Sequence, residues 1–252
     1  MFAALRAQNP GRSLGSMLLY ASASWLTRVL CVILYRLRAS AGPSRDRRAG
    51  PVVVPMDRPL LVVVNHQSFL DPIVVANILP RQVTFLARAT LFHNAAFGAL
   101  IRNLNAVPLK DDGSDTAAIR ITLQQLKLGR CVLIFPEGTR TPDGAMRPFK
   151  RGVWLLLSRA RCDILPIGLD GTFDAFPRGQ ALPNLWGQHI AIRVGAPVTH
   201  AELSALGPDA GLDHLARTVD TLRLQARADI RHATDGTWPP KGPADQPGPV
   251  AD

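Results

Sequence analysis

The stretch Leu60-Leu61-Val62-Val63-Val64-Asn65-His66-Gln67-Ser68-Phe69-Leu70-Asp71-Pro72 decides how this chain is read. Five aliphatic, largely β-branched residues in a row read as a strand buried on both faces, and Asp71-Pro72 suits the first turn of a helix. A histidine therefore leaves a strand end, with a carboxylate five residues beyond it. Histidine can take and return a proton near neutrality, and a carboxylate bonded to one ring nitrogen fixes the tautomer of the other. The same residues also fit a plain structural use, with Asp71 or Ser68 as helix caps and His66 as a hydrogen-bonded loop residue. Context further along the chain decides between the two.

Outward from that stretch, strands and helices alternate. Strands are expected near Val52 to Val54, Leu60 to Val64, Val83 to Ala87, Ala106 to Leu109, Cys131 to Phe135, Ile164 to Leu169 and Ile190 to Val194. Helices fit at Pro72 to Leu79, Leu91 to Leu104, Asp115 to Leu128 (capped by Ser114, stopped by Gly129) and Arg151 to Arg161. Such alternation predicts an α/β domain built on a mainly parallel β-sheet flanked by helices. In such sheets ligands bind outside the carboxyl ends of the strands. His66, Arg88, Lys110, Glu137 and Asp170 each follow a strand, so the topology brings them to one edge.

The second informative stretch is Phe135-Pro136-Glu137-Gly138-Thr139-Arg140. A buried strand here delivers a carboxylate, a glycine that admits a ligand to the backbone, a hydroxyl and a guanidinium. Arginine pairs with phosphate through two charge-assisted hydrogen bonds, and threonine can donate a third.

Composition narrows the partners. The 252 residues carry a formal net charge of +10, and all but Lys110, Lys127, Lys150 and Lys241 of the 29 basic residues are arginine. Such an excess favours anionic partners such as a membrane surface or a phosphorylated substrate. No zinc-finger spacing, RNA-binding aromatic signature or long basic block points to nucleic acid. Cys31, Cys131 and Cys162 form no disulfide framework and fit a reducing compartment. His93, His189, His200, His214 and His232 show no metal-ligand spacing.

Residues 14 to 35 are strongly apolar and flanked by arginines. They are barely long enough to span a bilayer, and Arg28 near the middle would cost about 2.5 to 3.5 kcal/mol there. A helix or helical hairpin lying in the interface, with its arginines reaching lipid phosphate, is cheaper. If the segment spans, the arginine load on its C-terminal side puts the main domain in the cytoplasm; the expected location is the cytoplasmic face of the cell membrane, with peripheral or monotopic attachment. The expected organisation is a membrane-associating helical segment over 1–49, a catalytic domain over 50–232 and a disordered, proline- and glycine-rich tail over 233–252. Leu212, Leu215, Ala216, Val219 and Leu222 recur at helical spacing and predict a last amphipathic helix to about Ile230 that packs on the domain. Gly11-Arg12-Ser13-Leu14-Gly15 has the letters of a hydrolase nucleophile elbow, but no strand precedes it.

With both stretches in view, the chain resembles the glycerophospholipid acyltransferase family, of the 1-acylglycerol-3-phosphate acyltransferase type. That family is marked by N-H-x-S-x-x-D and F-P-E-G-T-R, which stand here as residues 65–71 and 135–140. Weaker blocks agree at Phe97 to Arg102 with Ala106 to Lys110, and at Leu165 to Thr172. Family members often carry arginine shortly after the proline of the second block, where this chain has Lys110, Asp111 and Asp112. The resemblance covers roughly residues 55 to 200. It implies acyl transfer from a thioester, acyl-CoA or acyl carrier protein acting as co-substrate with no cofactor and no metal, to a lysolipid hydroxyl. Phosphatidic acid would be the product, with lyso-ornithine lipid or another lysophospholipid as the alternative acceptor. It further implies His66 as base with Asp71 as its orienter. Glu137, Gly138, Thr139 and Arg140 would form the acceptor-binding block, with Arg102, Lys110 and Arg88 as further phosphate ligands.

Overall fold

A computed structural model describes residues 11–41, 54–109 and 115–249. Seven strands form one sheet in the order β1-β7-β6-β2-β5-β3-β4: β1 (Arg38–Ala41), β2 (Leu60–Val64), β3 (Val83–Arg88), β4 (Ala106–Leu109), β5 (Cys131–Ile134), β6 (Asp163–Asp170) and β7 (Ala191–Val194). Every pair is parallel except β6 with β7. The helices are α1 (Leu14–Tyr35), α2 (Asp71–Ile78), α3 (Ala95–Asn103), α4 (Asp115–Lys127), α5 (Gly152–Ala160), α6 (Thr172–Ala175), α7 (His200–Leu206) and α8 (Pro208–Ala233).

Strand β2 shows why a run of aliphatic residues behaves as it does. It lies between β5 and β6, and all five of its residues are buried. Leu60, Val62 and Val64 face a core shared with Cys31 and Tyr35 of α1 and Val74 and Val75 of α2. Leu61 and Val63 face the opposite core, with Leu156 and Leu157 of α5 and Leu212, Leu215 and Val219 of α8. A strand covered on both faces needs no polar alternation, which is how the sequence reads. The stripe expected on α8 is buried as a unit and continues to Ala226 and Ile230. At Gly168 of β6 an added Cβ would lie 2.1 Å from the Arg223 backbone, so glycine is what lets α8 lie directly on the sheet.

The apolar N-terminal segment is one continuous helix, long and apolar enough by length and composition to cross a membrane. It does not stand away from the domain. Ser16, Met17, Tyr20, Cys31 and Tyr35 form a buried stripe along its length, against α2 and α3. Polar ties follow the same line: Ser16 Oγ donates to the Asn103 carbonyl at 3.0 Å, Val83 N–H to Tyr20 Oη at 3.0 Å, and Thr27 meets the Asn77 amide at 2.9 Å. Trp25, Leu26, Leu30, Val32 and Ile33 on its outer side are exposed.

The structure corrects several boundaries. Strand β1 falls inside the segment expected to be purely helical, so the boundary at residue 49 cuts the sheet. Its Arg-Ala-Ser-Ala sequence has no β-branched residue, and pairing with β7 rather than intrinsic preference makes it a strand. The helix expected over Leu91 to Leu104 is broken into a 3₁₀ turn (Ala89–Phe92) and α3, because Asn94 caps the second piece, accepting from Phe97 N–H at 2.9 Å. Val52, Val53, Lys110 and the cap residue Ser114 lie outside the described residues; Val54 is buried but not in a strand.

The tail over 234–249 is not disordered. Arg223 donates to the carbonyls of Ala244 (2.6 Å) and Gln246 (2.9 Å), Gly248 N–H donates to Asp220 at 2.7 Å, and Trp238 packs on Ala226 and Ile230. Its composition offers little apolar core, but the arginines of α8 bind its carbonyls instead.

Candidate functional site

The end of β2 is fixed before the histidine is reached. Asn65 clamps the neighbouring strand with both amide atoms, donating to the Leu169 carbonyl at 3.0 Å and accepting from Leu169 N–H at 2.9 Å. His66 Nδ1 then lies 2.8 Å from Asp71 Oδ2, whose side chain is 0% exposed. The same oxygen accepts from the backbone amides of Gln67 and Ser68, each at 2.7 Å. A carboxylate held by three donors is a rigid acceptor, so Nδ1 carries the hydrogen and the lone pair resides on Nε2. The ring is also stacked on Phe135, with centroids 3.9 Å apart and planes 13° from parallel.

Glu137 is 3% exposed, and its two oxygens accept from His66 N–H (2.6 Å) and Arg147 N–H (2.9 Å). Both oxygens are thus bonded to backbone, one of them to the histidine's own amide. Burial pushes its pKa up to about 8, against the downward pull of those two amides. Thr141 N–H donates to the His66 carbonyl at 2.9 Å, so the two motifs are joined by backbone as well as side chain. Gly138 has φ +70°, a backbone conformation that favours glycine; a Cβ there would also come within 2.5 Å of Lys150 Cε, which the flexible lysine can relieve by moving. Thr139 is half-buried on the same loop.

Arg140 lies over the Phe69 ring, its guanidinium carbon 3.5 Å from the centroid, and its buried Nη1 has no hydrogen-bond partner. Burial lowers its pKa, and the nearby guanidiniums of Arg178 and Arg88 lower it further, while Asp71 opposes them. Arg88, expected from its place at the end of β3, is thus beside Arg140. Arg178 is an addition: it sits in an irregular loop with no periodicity or motif to mark it. Arg102 is engaged elsewhere, stacked over Phe92 at 4.8 Å with its carbonyl accepting from Arg12.

A polar chain unmarked by any motif supports the loop from behind. Gln67 donates to the Gly144 carbonyl (2.8 Å) and to Asp170 Oδ1 (2.9 Å). Asp170 in turn holds Arg227 of α8 at 3.0 Å, and Arg227 holds Asp245 of the tail at 2.8 Å. Ser68 is buried, donates to the Phe176 carbonyl at 2.8 Å and accepts from Leu70 N–H at 3.2 Å, so its hydroxyl is committed to the loop. Ser13 caps α1, accepting from Ser16 N–H at 3.2 Å, which accounts for the elbow-like letters around it. Among the described residues, no group of three or more His, Cys, Asp or Glu side chains gathers as a metal site.

The structure thus brings an imidazole of fixed tautomer and the Arg140 guanidinium, with Arg88 and Arg178 nearby, to the carboxyl edge of a mainly parallel sheet. Residues 47–170 match the acyltransferase family. A chloroplastic 1-acyl-sn-glycerol-3-phosphate acyltransferase from Brassica napus is 34% identical over 125 residues, 49% of this chain and 36% of that protein. The chain therefore spans only about a third of the length of such plant relatives. A lyso-ornithine lipid O-acyltransferase from Pseudomonas aeruginosa is 26% identical over 243 residues, 94% of this chain and 86% of that protein. The crystal structure of a 1-acyl-sn-glycerophosphate acyltransferase from Thermotoga maritima superposes with a TM-score of 0.68 over 89% of this chain and 82% of that one, at 22% identity, and shares the fold.

Proposed function

We propose that this chain transfers a fatty acyl group from acyl-CoA or acyl carrier protein to the free hydroxyl of 1-acylglycerol-3-phosphate, giving phosphatidic acid. The observation that carries this reading is the His66–Asp71 pair beside Arg140, Arg88 and Arg178. His66 Nε2 takes the acceptor's hydroxyl proton as the oxygen attacks the thioester carbonyl. The tetrahedral intermediate then collapses to the ester, and the imidazolium returns its proton to the departing thiolate. General acid-base assistance of this kind is worth about 10²- to 10⁴-fold. The phosphate monoester lies against the guanidiniums, with Arg140 paired to it and Thr139 as a further donor. No acyl-enzyme is required, and Ser68 has its hydrogen bonds elsewhere.

The attachment we infer is monotopic, on the cytoplasmic face of the cell membrane. Because α1 is packed on α2 and α3 along its length, spanning would draw those helices into hydrocarbon, whereas lying in the interface leaves them in water.

A second acceptor, lyso-ornithine lipid, is favoured by the near end-to-end match to the Pseudomonas protein. An ornithine headgroup adds an ammonium to its carboxylate, which suits three guanidiniums less well than a phosphate dianion does. Purified protein offered both acceptors with acyl-CoA and with acyl carrier protein separates the readings. The first predicts turnover on lysophosphatidate that His66→Ala abolishes; turnover confined to lyso-ornithine lipid would replace it with the second.

A further inference from the structure

Between α6 and β7 the chain runs through Phe176-Pro177-Arg178-Gly179-Gln180-Ala181-Leu182-Pro183-Asn184-Leu185-Trp186-Gly187-Gln188-His189-Ile190. Three large apolar side chains within five residues stand in water: Leu182 is 77% exposed, Leu185 45% and Trp186 72%. Single exposed hydrophobics are ordinary, but a cluster of this size at the lip of a site marks an interaction surface.

The loop is built to present them. Asn184 pins its middle to the end of α6, its N–H donating to the Ala175 carbonyl (2.7 Å) and its side-chain amide to the Asp174 carbonyl (2.8 Å). The two ends connect the catalytic loop to the apolar helix. Phe176 accepts from Ser68 and its ring faces Phe69 with centroids 5.9 Å apart. Ile190 N–H donates to the carbonyl of Tyr35, the last residue of α1, at 3.0 Å. Phe69, against Phe176, and Ile73 in the first turn of α2 are exposed as well. The segment has no acidic residue, and Arg178 projects from it near Arg140.

We propose that Leu182, Leu185 and Trp186 form a second membrane-inserting element, which seats this loop in the bilayer interface beside α1 while Arg178 meets anionic headgroups at the mouth of the site. The partner is a lipid surface because the loop is bonded through Ile190 to the last residue of the apolar α1 and its segment carries only positive charge; tryptophan is suited to the boundary between chains and headgroups. The inference rests on the interfacial reading of α1, and its test does not depend on catalysis.

Vesicles of phosphatidylcholine and phosphatidylglycerol with brominated chains quench tryptophans that reach the acyl region. Wild type is compared with Trp186→Phe, so that the difference emission belongs to Trp186 alone. The expected result is a blue-shifted, quenched difference emission with partitioning retained in Trp186→Phe. The triple variant Leu182→Ser/Leu185→Ser/Trp186→Ser should keep its melting temperature and lose about tenfold or more in vesicle partitioning, because affinity follows the apolar area inserted. Wild type that partitions with an unquenched Trp186, or a triple variant that partitions equally well, overturns the loop assignment alone. Wild type that fails to partition overturns the α1 reading with it. A concentration-dependent dimer lost in the triple variant while vesicle binding persists assigns the patch to a second copy of this chain instead.

Discussion

The two sides of His66 are made differently. Beneath and behind it the polar groups are largely paired: Asp71 Oδ2 has three donors, Glu137 two, and Gln67 leads through Asp170 to Arg227, while Asp71 Oδ1 is buried without a partner. In front of it stand guanidiniums set close together, one with a buried nitrogen that has no partner. Like charges placed together cost energy in the free protein, so this arrangement makes sense where a dianion arrives to relieve it. On the proposed mechanism, the contrast separates the part that would perform the proton transfer from the part that substrate would complete.

Breaking the paired side should cost the most. His66→Ala removes the base and Asp71→Asn its orienter, and both should lower kcat by about 10²- to 10⁴-fold in single-turnover assays, with little change in acceptor affinity. On the substrate side the loss should appear in KM. Arg140→Ala is expected to raise the acceptor KM about 10- to 100-fold, with Arg140→Lys partly restoring it, because a lysine supplies charge without the paired donors. Arg178→Ala and Arg88→Ala, at exposed positions, should each raise it only about two- to tenfold, the effect shrinking as salt is added.

Glu137 sharpens the comparison through pH. Its pKa in the folded protein, about 8, lies above the ordinary 4.5 because of burial. The folded state therefore binds this proton more readily than the unfolded chain. Stability from this group is present at low pH and is lost as pH rises from 4.5 through 8, at no more than about 1.4 kcal/mol per pH unit. Denaturant titrations at about pH 5 and about pH 8 should show that slope in wild type and its loss in Glu137→Gln. The glutamine also sets an NH₂ against a backbone N–H, for an added cost of about 1 to 3 kcal/mol at either pH. The smallest effect belongs to the distant end of the chain of polar contacts: Asp245→Asn should cost about 1 kcal/mol of stability and lower kcat only slightly.

The legible parts were those written locally. A buried strand announces itself by five aliphatic residues, and His66 and Asp71 are five positions apart, close enough for contact once the second motif favoured the catalytic reading. Glu137 was legible as a participant, but its bonds to backbone were not. Whether a carboxylate faces a ligand or a backbone amide depends on His66, 71 positions away. Arg178 has neither period nor motif; only the packing of Phe176 on Phe69 brings it to the site. Arg223 and Arg227 lie outside the apolar stripe that marks α8 in sequence, and they are buried because a tail with few apolar residues covers them through its carbonyls and Asp245. Strand β1 escaped notice because an edge strand led by arginine borrows its conformation from its neighbour.

Only Arg36 and Leu37 separate α1 from β1, and Ile190 is bonded to chain on both sides of that joint, to Tyr35 and to Arg38. On the interfacial attachment proposed for α1, the element that meets lipid is riveted to an edge strand of the sheet, with no slack between them. How far the imidazole stands from the bilayer is then a fixed dimension of the protein, so acceptors must come up to it by their own movement out of the leaflet, and headgroup size and chain length become matters of reach.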